Sequence, residues 1–269
     1  MIYIVILFVI VLLLWSYKYA WWKPAVDWHR PRVLMYHMVR DHIDGAKFNK
    51  LRVKPSAFEQ QIAWMKAEGF HFVTMQELQD HWGKHPQKTV AITFDDGYLD
   101  NLENALPILE KYQAKATIYV VVDRHERDWS TYKKAHHNSG ELAQEPKLND
   151  AQVKQLVASG LIEIGSHTMT HANLNKLDDA ACLDELTQSK QQLEALIEQP
   201  VTSFAYPFGI YSARDVMVAK QVGYTNAVTT VEGIDDTAPD FMQLKRIKIS
   251  GKDSLFAVKL RLKLGKREG

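Results

Sequence analysis

The chain contains a single cysteine, Cys182, among its 269 residues. One cysteine excludes an intrachain disulfide and every zinc site that needs paired cysteines. The formal net charge is only +1, so no overall field draws the protein to nucleic acid, and we predict no nucleic-acid partner. Glycine-rich loops of the GxGxxG or Walker type are also missing, which leaves nucleotide binding without a motif. The sequence does not indicate an oligomeric state.

What the sequence does contain begins with a long apolar run. Residues 1–22, "MIYIVILFVIVLLLWSYKYAWW", carry no charged side chain before Lys18. A helix of about 20 apolar residues can cross a bilayer, and the aromatic residues at its end are typical of a membrane interface. A cleaved signal peptide is disfavoured, because the run lacks a basic start and a small-residue cleavage site. We therefore predict a single-pass transmembrane anchor over 1–22, a linker over 23–31 and one folded domain over 32–269.

Strand and helix signals alternate along this domain. Apolar runs rich in β-branched residues, such as "TVAITF" and "ATIYVVV", predict strands, and "PSAFEQQIAWMKAEG" predicts a helix, with Ser56 and Glu59 as its capping box. About seven or eight such strand–helix units predict an α/β fold with parallel strands, either a barrel or a doubly wound sheet. Residues 123–149 form the one long polar interruption, and the C-terminal segment predicts a packing helix or a contact with a membrane surface.

Two acids close one of the predicted strands. In "VAITFDDGYLDN" the apolar run ends at Asp95 and Asp96. Neighbouring strand residues point to opposite faces, so a regular strand cannot aim both acids at one target. Gly97 allows a sharp turn, which would bring both carboxylates into one pocket. One could then bind a metal while the other takes a proton from metal-bound water. Alone, such a segment is also typical of a turn or a helix N-cap.

A pair of histidines follows another predicted strand. "EIGSHTMTH" places His167 and His171 four residues apart. On a helical turn both imidazoles would share one face and bind one ion, with Asp95 or Asp96 as the third ligand. Two histidines and one carboxylate compose a catalytic zinc or iron site. Because strand C-termini form the catalytic end of an α/β barrel, the two motifs together predict a metal-dependent hydrolase. An iron oxygenase is the alternative chemistry.

A third segment, "FAYPFG", is typical of a rigid turn. Pro207 fixes φ and Gly209 permits an unusual backbone conformation. Such a turn can present a backbone N–H to a developing oxyanion, and we predict the Phe208 N–H for this role. We expect Tyr206, Pro207 and Gly209 to contact the substrate. A plain strand-to-helix turn would explain the same residues.

"TFDDG", "SHTMTH" and "FAYPFG" resemble, in this order, the first three motifs of the polysaccharide deacetylase family, also called the NodB-homology family or carbohydrate esterase family 4. The resemblance covers roughly residues 32–250. "LMYH" and "YPFG" are similar to the branch that includes poly-β-1,6-N-acetylglucosamine deacetylases. The resemblance implies a distorted (β/α) barrel of seven or eight strands that removes acetyl groups from an N-acetylhexosamine glycan. It also implies a divalent metal, which we expect to be Zn2+, with Co2+, Ni2+ or Fe2+ as alternatives.

The resemblance also implies roles for individual residues. By position, Asp95 is the general base that activates a metal-bound water, and Asp96, His167 and His171 bind the metal. Ala205 stands where many family members have the arginine that orients the base.

Two further residues are predicted to compensate for motifs that this chain lacks. No tryptophan occurs after Trp129 and no histidine after His171, so two late family motifs are missing. We predict that Arg246, in the last strand, supplies the missing cation, and that His37, at the end of the first strand, takes part in catalysis. His136 and His137 could border the groove.

The location and the substrate leave alternatives open. Family substrates imply a periplasmic or extracellular domain, whereas four basic residues after the span favour the cytoplasm. Deacetylation of a lipid-linked amino-sugar intermediate is one alternative function. A catalytically inactive glycan-binding member of the family is another.

Overall fold

The computed structural model describes residues 1–125 and 140–266, except for the side chains of residues 15, 18 and 19. His136 and His137 therefore lie outside the described residues. The strands of the described part are β1 (Arg32–Tyr36), β2 (Met38–Val39), β3 (Arg52–Val53), β4 (His71–Val73), β5 (Thr89–Phe94), β6 (Ala116–Val120), β7 (Ile162–Ser166), β8 (Ser203–Ala205), β9 (Asn226–Glu232) and β10 (Leu244–Lys248). Its α-helices are α1 (Ile2–Tyr19), α2 (Pro55–Ala67), α3 (Met75–Asp80), α4 (Leu106–Tyr112), α5 (Asp150–Ala158), α6 (Asp179–Ile197), α7 (Ala213–Val222) and α8 (Leu255–Leu264).

Seven parallel strands close into a barrel. Their order is β1-β10-β9-β8-β7-β6-β5, and β1 pairs with β5 to complete the ring. The short strand β4 pairs with the first half of β5, on the edge that β6 uses in the second half. Separately, β2 and β3 form a two-stranded sheet. The predicted α/β barrel is thereby confirmed, and the doubly wound sheet is excluded.

The barrel wall separates two apolar clusters. The larger cluster contains Leu34 and Tyr36 of β1 together with buried residues of the outer helices, such as Phe58 of α2. The smaller one contains Val33 of β1 and reaches Met75 of α3. Because neighbouring strand residues point to opposite faces, the smaller cluster fills the barrel interior. Strands buried on both faces read as continuous apolar runs, which is why the sequence shows them clearly.

The start of α2 differs from the prediction. Its N-cap is Lys54, which makes no side-chain cap, and Pro55 occupies the first turn. Proline suits this position because its missing N–H would have no helical partner there. The predicted capping box of Ser56 and Glu59 is therefore wrong, and Glu59 instead pairs with Lys111 at 2.6 Å.

The N-terminal helix α1 is shorter than the predicted span over 1–22. It ends at Tyr19, and Ala20 adopts a left-handed φ of 46°. The described side chains of residues 2–14 are exposed. Within residues 1–125 and 140–266 no helix is both long and apolar enough to cross a membrane, so the predicted transmembrane helix is not confirmed.

The segment predicted as a linker, residues 23–31, packs on the barrel domain. The Val26 N–H donates to the Lys263 carbonyl in α8 at 2.9 Å, and the Arg32 guanidinium lies 4.1 Å from the centre of the Trp28 ring. The domain boundaries at residues 22 and 31 stay predictions.

Candidate active site

The two adjacent carboxylates lie at the C-terminal end of β5. Asp95 directly follows the strand, and its N–H donates to the Tyr36 carbonyl at 3.1 Å. Asp96 has a φ of 79° and Gly97 a φ of 70°. The sharp turn predicted at Gly97 therefore begins one residue earlier, in a left-handed conformation that is uncommon for a non-glycine residue. This reversal breaks the strand alternation, and both carboxylates are buried in one site.

A buried arginine holds Asp95 at two points. Arg246, the middle residue of β10, donates from Nη1 to Oδ1 at 2.7 Å and from Nη2 to Oδ2 at 2.8 Å. Its Nε donates to the Thr229 carbonyl at 2.8 Å, and its Nη1 also donates to Thr93 Oγ1 at 3.0 Å. Paired donors of this kind fix both the position and the plane of a carboxylate. Arg246 thus supplies a cation to Asp95, for which the arginine of many family members is absent at position 205.

The surroundings keep Asp95 ionised. Burial alone would raise the pKa of this carboxyl group. The charge and hydrogen bonds of Arg246, helped by His167 and His37, outweigh burial and lower the pKa of Asp95 below its ordinary value. An ionised, oriented carboxylate can accept a proton from a reacting group.

Asp96 lies between the two histidines. Its Oδ1 is 3.3 Å from His167 Nε2 and 3.4 Å from His171 Nε2, and all three side chains are buried. In the part of the chain that the structure describes, this is the one group of three such side chains suited to a metal ion, with ligand atoms within 4.8 Å of one another. One carboxylate and two imidazoles match the donor set of a zinc-type catalytic centre, so these residues fit the implied metal.

The histidines do not lie on a helical turn, as the sequence predicted. Residues 167–171 form a loop after β7 in which Thr168 has a φ of 68° and His171 a φ of 58°. The two rings nevertheless approach to 4.8 Å between centroids. The predicted helical turn is therefore wrong, but His167 and His171 do lie close together.

A backbone carbonyl sets the orientation of His167. Its Nδ1 lies 2.7 Å from the Ala205 carbonyl, and a carbonyl can only accept, so Nδ1 carries the proton and Nε2 faces Asp96. Partners of this kind are typical of metal-ligating histidines. Ala205, the position without the family arginine, therefore contributes through its main chain.

Charge is distributed unevenly over the cluster. Burial would raise the pKa of Asp96, but its hydrogen bond to His167 and the charges of His171 and His37 hold it far below its usual range. Burial would lower the pKa of His167, but Asp96 and Asp95 raise it. For His171, burial lowers the pKa to about 3. Burial thus favours the neutral form of His171, whereas the carboxylates favour the protonated form of His167.

One residue of this site was not predicted. Tyr98 is buried, and burial together with the neighbouring Asp96 carboxylate raises its pKa well above the ordinary value. A hydroxyl that stays protonated can donate to a metal-ligating carboxylate and orient it. Its position two residues after Asp96 is the only sequence signal, and tyrosines are common near strand ends.

The predicted turn at Pro207–Gly209 is present, and its role towards an oxyanion stays a prediction. Phe208 has a φ of 59°, and its ring lies 4.4 Å from that of His171. The N–H groups of Gly209 and Ile210 donate within the turn at 3.0 and 3.1 Å, so neither can serve an oxyanion. A Cβ at Gly209 would lie 1.8 Å from Thr230 Oγ1, which excludes any other residue there.

The residues predicted to contact the substrate or to assist catalysis differ in how far they are buried. The Tyr206 side chain is 1% exposed and donates to the Met242 carbonyl at 3.0 Å, and Pro207 is also buried. Substrate contact by Tyr206, Pro207 and Gly209 stays a prediction. His37 is half-buried between β1 and β2, and its charge acts on the pKa of Asp95, Asp96 and His171.

Comparisons with known proteins are consistent with this site. A family model described as polysaccharide deacetylase matches residues 83–227. YxkH of Bacillus subtilis (strain 168), whose name assigns it to the polysaccharide deacetylases, is 32% identical over 236 residues, which cover 86% of this chain and 75% of that protein. The poly-beta-1,6-N-acetyl-D-glucosamine N-deacetylase of Staphylococcus aureus (strain MRSA252) is 26% identical, over 74% of this chain and 69% of that protein. The solved structure of the Streptococcus pyogenes deacetylase PplD in complex with acetate aligns with a TM-score of 0.71 and 28% identity, over 87% of this chain and 96% of that one.

The raised pKa of His167 predicts how metal binding depends on pH. A ligating imidazole must lose its proton, so protons compete with the metal at and below this pKa, which lies above the ordinary 6.5. We expect the Kd for zinc to weaken by up to about tenfold per unit of pH as the pH falls from about 8 to about 6. Isothermal titration calorimetry would measure this, and a constant Kd over that range would contradict it.

Proposed function

This chain belongs to the polysaccharide deacetylase family, and on that premise we propose that it is a metal-dependent hydrolase that removes N-acetyl groups from an N-acetylhexosamine-containing glycan. One observation carries the proposal: the buried Arg246–Asp95 pair lies beside the cluster of Asp96, His167 and His171. An ionised, oriented carboxylate next to a metal-ligand set is an arrangement suited to metal-assisted hydrolysis of an amide.

Each residue then has its own part in the reaction. A divalent ion held by Asp96, His167 and His171, which we expect to be Zn2+, would polarise the acetyl carbonyl and lower the pKa of water. Asp95 accepts a proton from the attacking water, with its carboxylate oriented by Arg246.

Two other groups complete the proposed site. The Phe208 N–H donates to the oxygen that becomes negative in the transition state, and His37, whose charge acts on the pKa of Asp95, takes part in catalysis. One water is consumed, the C–N bond of the amide breaks, and acetate and a free amine are released.

The retained base favours an active enzyme over a glycan-binding relative. Holding a metal would require only Asp96, His167 and His171, whereas Asp95 is buried with a dedicated cation. The Staphylococcus aureus relative is named for a poly-N-acetylglucosamine, which supports an exopolysaccharide or another envelope glycan as substrate. A lipid-linked amino sugar remains the second candidate, because the same cluster would serve either substrate.

Substitution of the base tests this assignment. We expect Asp95→Asn to reduce kcat by about 10²–10⁴-fold, the usual contribution of a general base, while metal content stays normal. His167→Ala should lose both metal and activity. Asp41→Asn, which changes an exposed carboxylate, is the control.

The assay is acetate release from N-acetylated chitooligosaccharides and from β-1,6-linked oligomers, with and without a chelator. Near-normal turnover by Asp95→Asn would contradict the assignment of the base. Turnover that required oxygen and a 2-oxoacid would instead favour the iron oxygenase.

We also propose that the domain acts on the periplasmic or extracellular side of a membrane, and that residues 2–14 hold it there. The support is the unbroken run of exposed apolar side chains over this segment of α1. Glycans of the envelope are accessible on that side.

Charges placed in α1 test the attachment. The double variant Leu7→Glu/Val11→Glu should move the protein from the membrane to the soluble fraction, because a buried carboxylate is costly in lipid. Met217→Glu, at an apolar residue of α7 that is 64% exposed, should leave it in the membrane fraction. Identical sedimentation of both variants would contradict attachment through this segment, and a cytoplasmic signal from a reporter fused after Gly269 would contradict the proposed side.

A further inference from the structure

One carboxylate holds the histidine loop from outside the barrel. Glu185, in α6, accepts the N–H groups of Met169 and Thr170 at Oε2, at 3.0 and 3.1 Å. Its Oε1 accepts the Thr170 hydroxyl at 2.6 Å. Both carboxylate oxygens of Glu185 thus accept hydrogen bonds from residues that lie between the two histidines in the sequence.

The loop needs such support, because its backbone is strained at both ends. Thr168 and His171 both have left-handed φ values, 68° and 58°, which non-glycine residues adopt at a cost. Met169 and Thr170 lie between these two positions. Strained residues persist only where the surroundings fix them, and the Glu185 bonds fix the two residues in the middle.

Main-chain contacts hold the start of the loop, and directly after His171 the Ala172 N–H donates to Thr168 Oγ1 at 3.2 Å. The Val122 N–H donates to the Thr168 carbonyl at 3.2 Å, and the Asp123 N–H donates to the Met169 carbonyl at 2.7 Å. The peptide N–H groups that lead to His171 rely on Glu185. The position of His171 Nε2, 3.4 Å from Asp96 Oδ1, is therefore tied to this carboxylate.

Helix α6 provides a rigid base for Glu185. Its Cys182, Leu186 and Ser189 are fully buried in the core. Ser189 also accepts a hydrogen bond from Ser166, the last residue of β7, at 3.0 Å. The helix thus contacts the chain just before His167 and again just before His171.

We propose that Glu185 is a positioning residue for the metal centre, which acts by holding His171 where it can ligate together with His167 and Asp96. The inference rests on the proposed function only in that it takes this cluster to be a metal site. It does not depend on which glycan is the substrate.

Metal affinity of the full chain tests the inference without any substrate. Metal-free protein is titrated with Zn2+ in competition with a chelating dye, and with Co2+ followed by its visible absorption. We expect Glu185→Ala to weaken the Kd for Zn2+ by about 10–100-fold, the usual effect of losing an outer partner of a metal ligand. The Co2+ spectrum should change because His171 is displaced. Glu185→Gln, which keeps one acceptor oxygen, should restore part of the affinity.

Glu194→Ala is the matched control. Glu194 is another carboxylate of α6, and it accepts the Val201 N–H at 3.0 Å and Lys190 Nζ at 2.7 Å, away from the histidines. It should lower thermal stability and leave the Kd for Zn2+ unchanged. Thr170→Val removes only the bond to Oε1 and should weaken the Kd by a few fold, which keeps the test decisive if Glu185→Ala does not fold.

The inference would be overturned if Glu185→Ala left both the Kd for Zn2+ and the Co2+ spectrum unchanged. If Glu185→Ala does not fold, an unchanged Kd in Thr170→Val would overturn it. Either result would leave the proposed function intact. Conversely, tight metal binding by the wild-type chain without any deacetylation would overturn the proposed function alone.

Discussion

The ion pair between Arg246 and Asp95 constrains the rest of the site. Removing both charges from water is costly, and the cost is offset only if the pair has good geometry and every remaining donor finds a partner. The barrel interior supplies partners beyond Asp95, because the Thr229 carbonyl accepts the Nε hydrogen of Arg246 and Thr93 Oγ1 accepts one from Nη1. Once Asp95 faces inward to Arg246, Asp96 can reach the histidines only through its left-handed turn.

Two neighbouring carboxylates thereby acquire different chemistry. Both have lowered pKa values, but one is paired with a permanent cation and the other with two imidazoles that can bind a metal. Asp95 is left as the group that can accept a proton, and Asp96 as the group that can ligate. The arginine contacts the base Asp95 and not the metal-ligating residues. His167 is oriented instead by a main-chain group, the Ala205 carbonyl.

The sequence predicted the fold class and the main site residues because both rest on local patterns. Strands buried on two faces are continuous apolar runs, and acids or histidines directly after such runs indicate the catalytic end of a barrel. Local backbone geometry was less predictable. The turn lies at Asp96 as well as at Gly97, and the histidines occupy a loop, because tertiary contacts hold residues in conformations that their own preferences disfavour. Tyr98 and Glu185 were missed because neither has a sequence pattern that distinguishes it from an ordinary tyrosine or helix carboxylate. Arg246, 151 residues from Asp95, could be predicted only from the chemical need for a cation.

The pH dependence of kcat/KM tests most directly whether Arg246 keeps Asp95 ionised. With metal at saturation, Arg246→Ala should move the acid limb to higher pH, because a buried carboxyl group without its cation has a raised pKa. Arg246→Lys keeps the charge but loses the two-point hold, and kcat should fall by about 10²-fold through loss of orientation. Lys248→Ala, two residues further along β10, should change neither quantity. An acid limb that does not move in Arg246→Ala, with a change in kcat in Arg246→Lys as small as that in Lys248→Ala, would contradict this account.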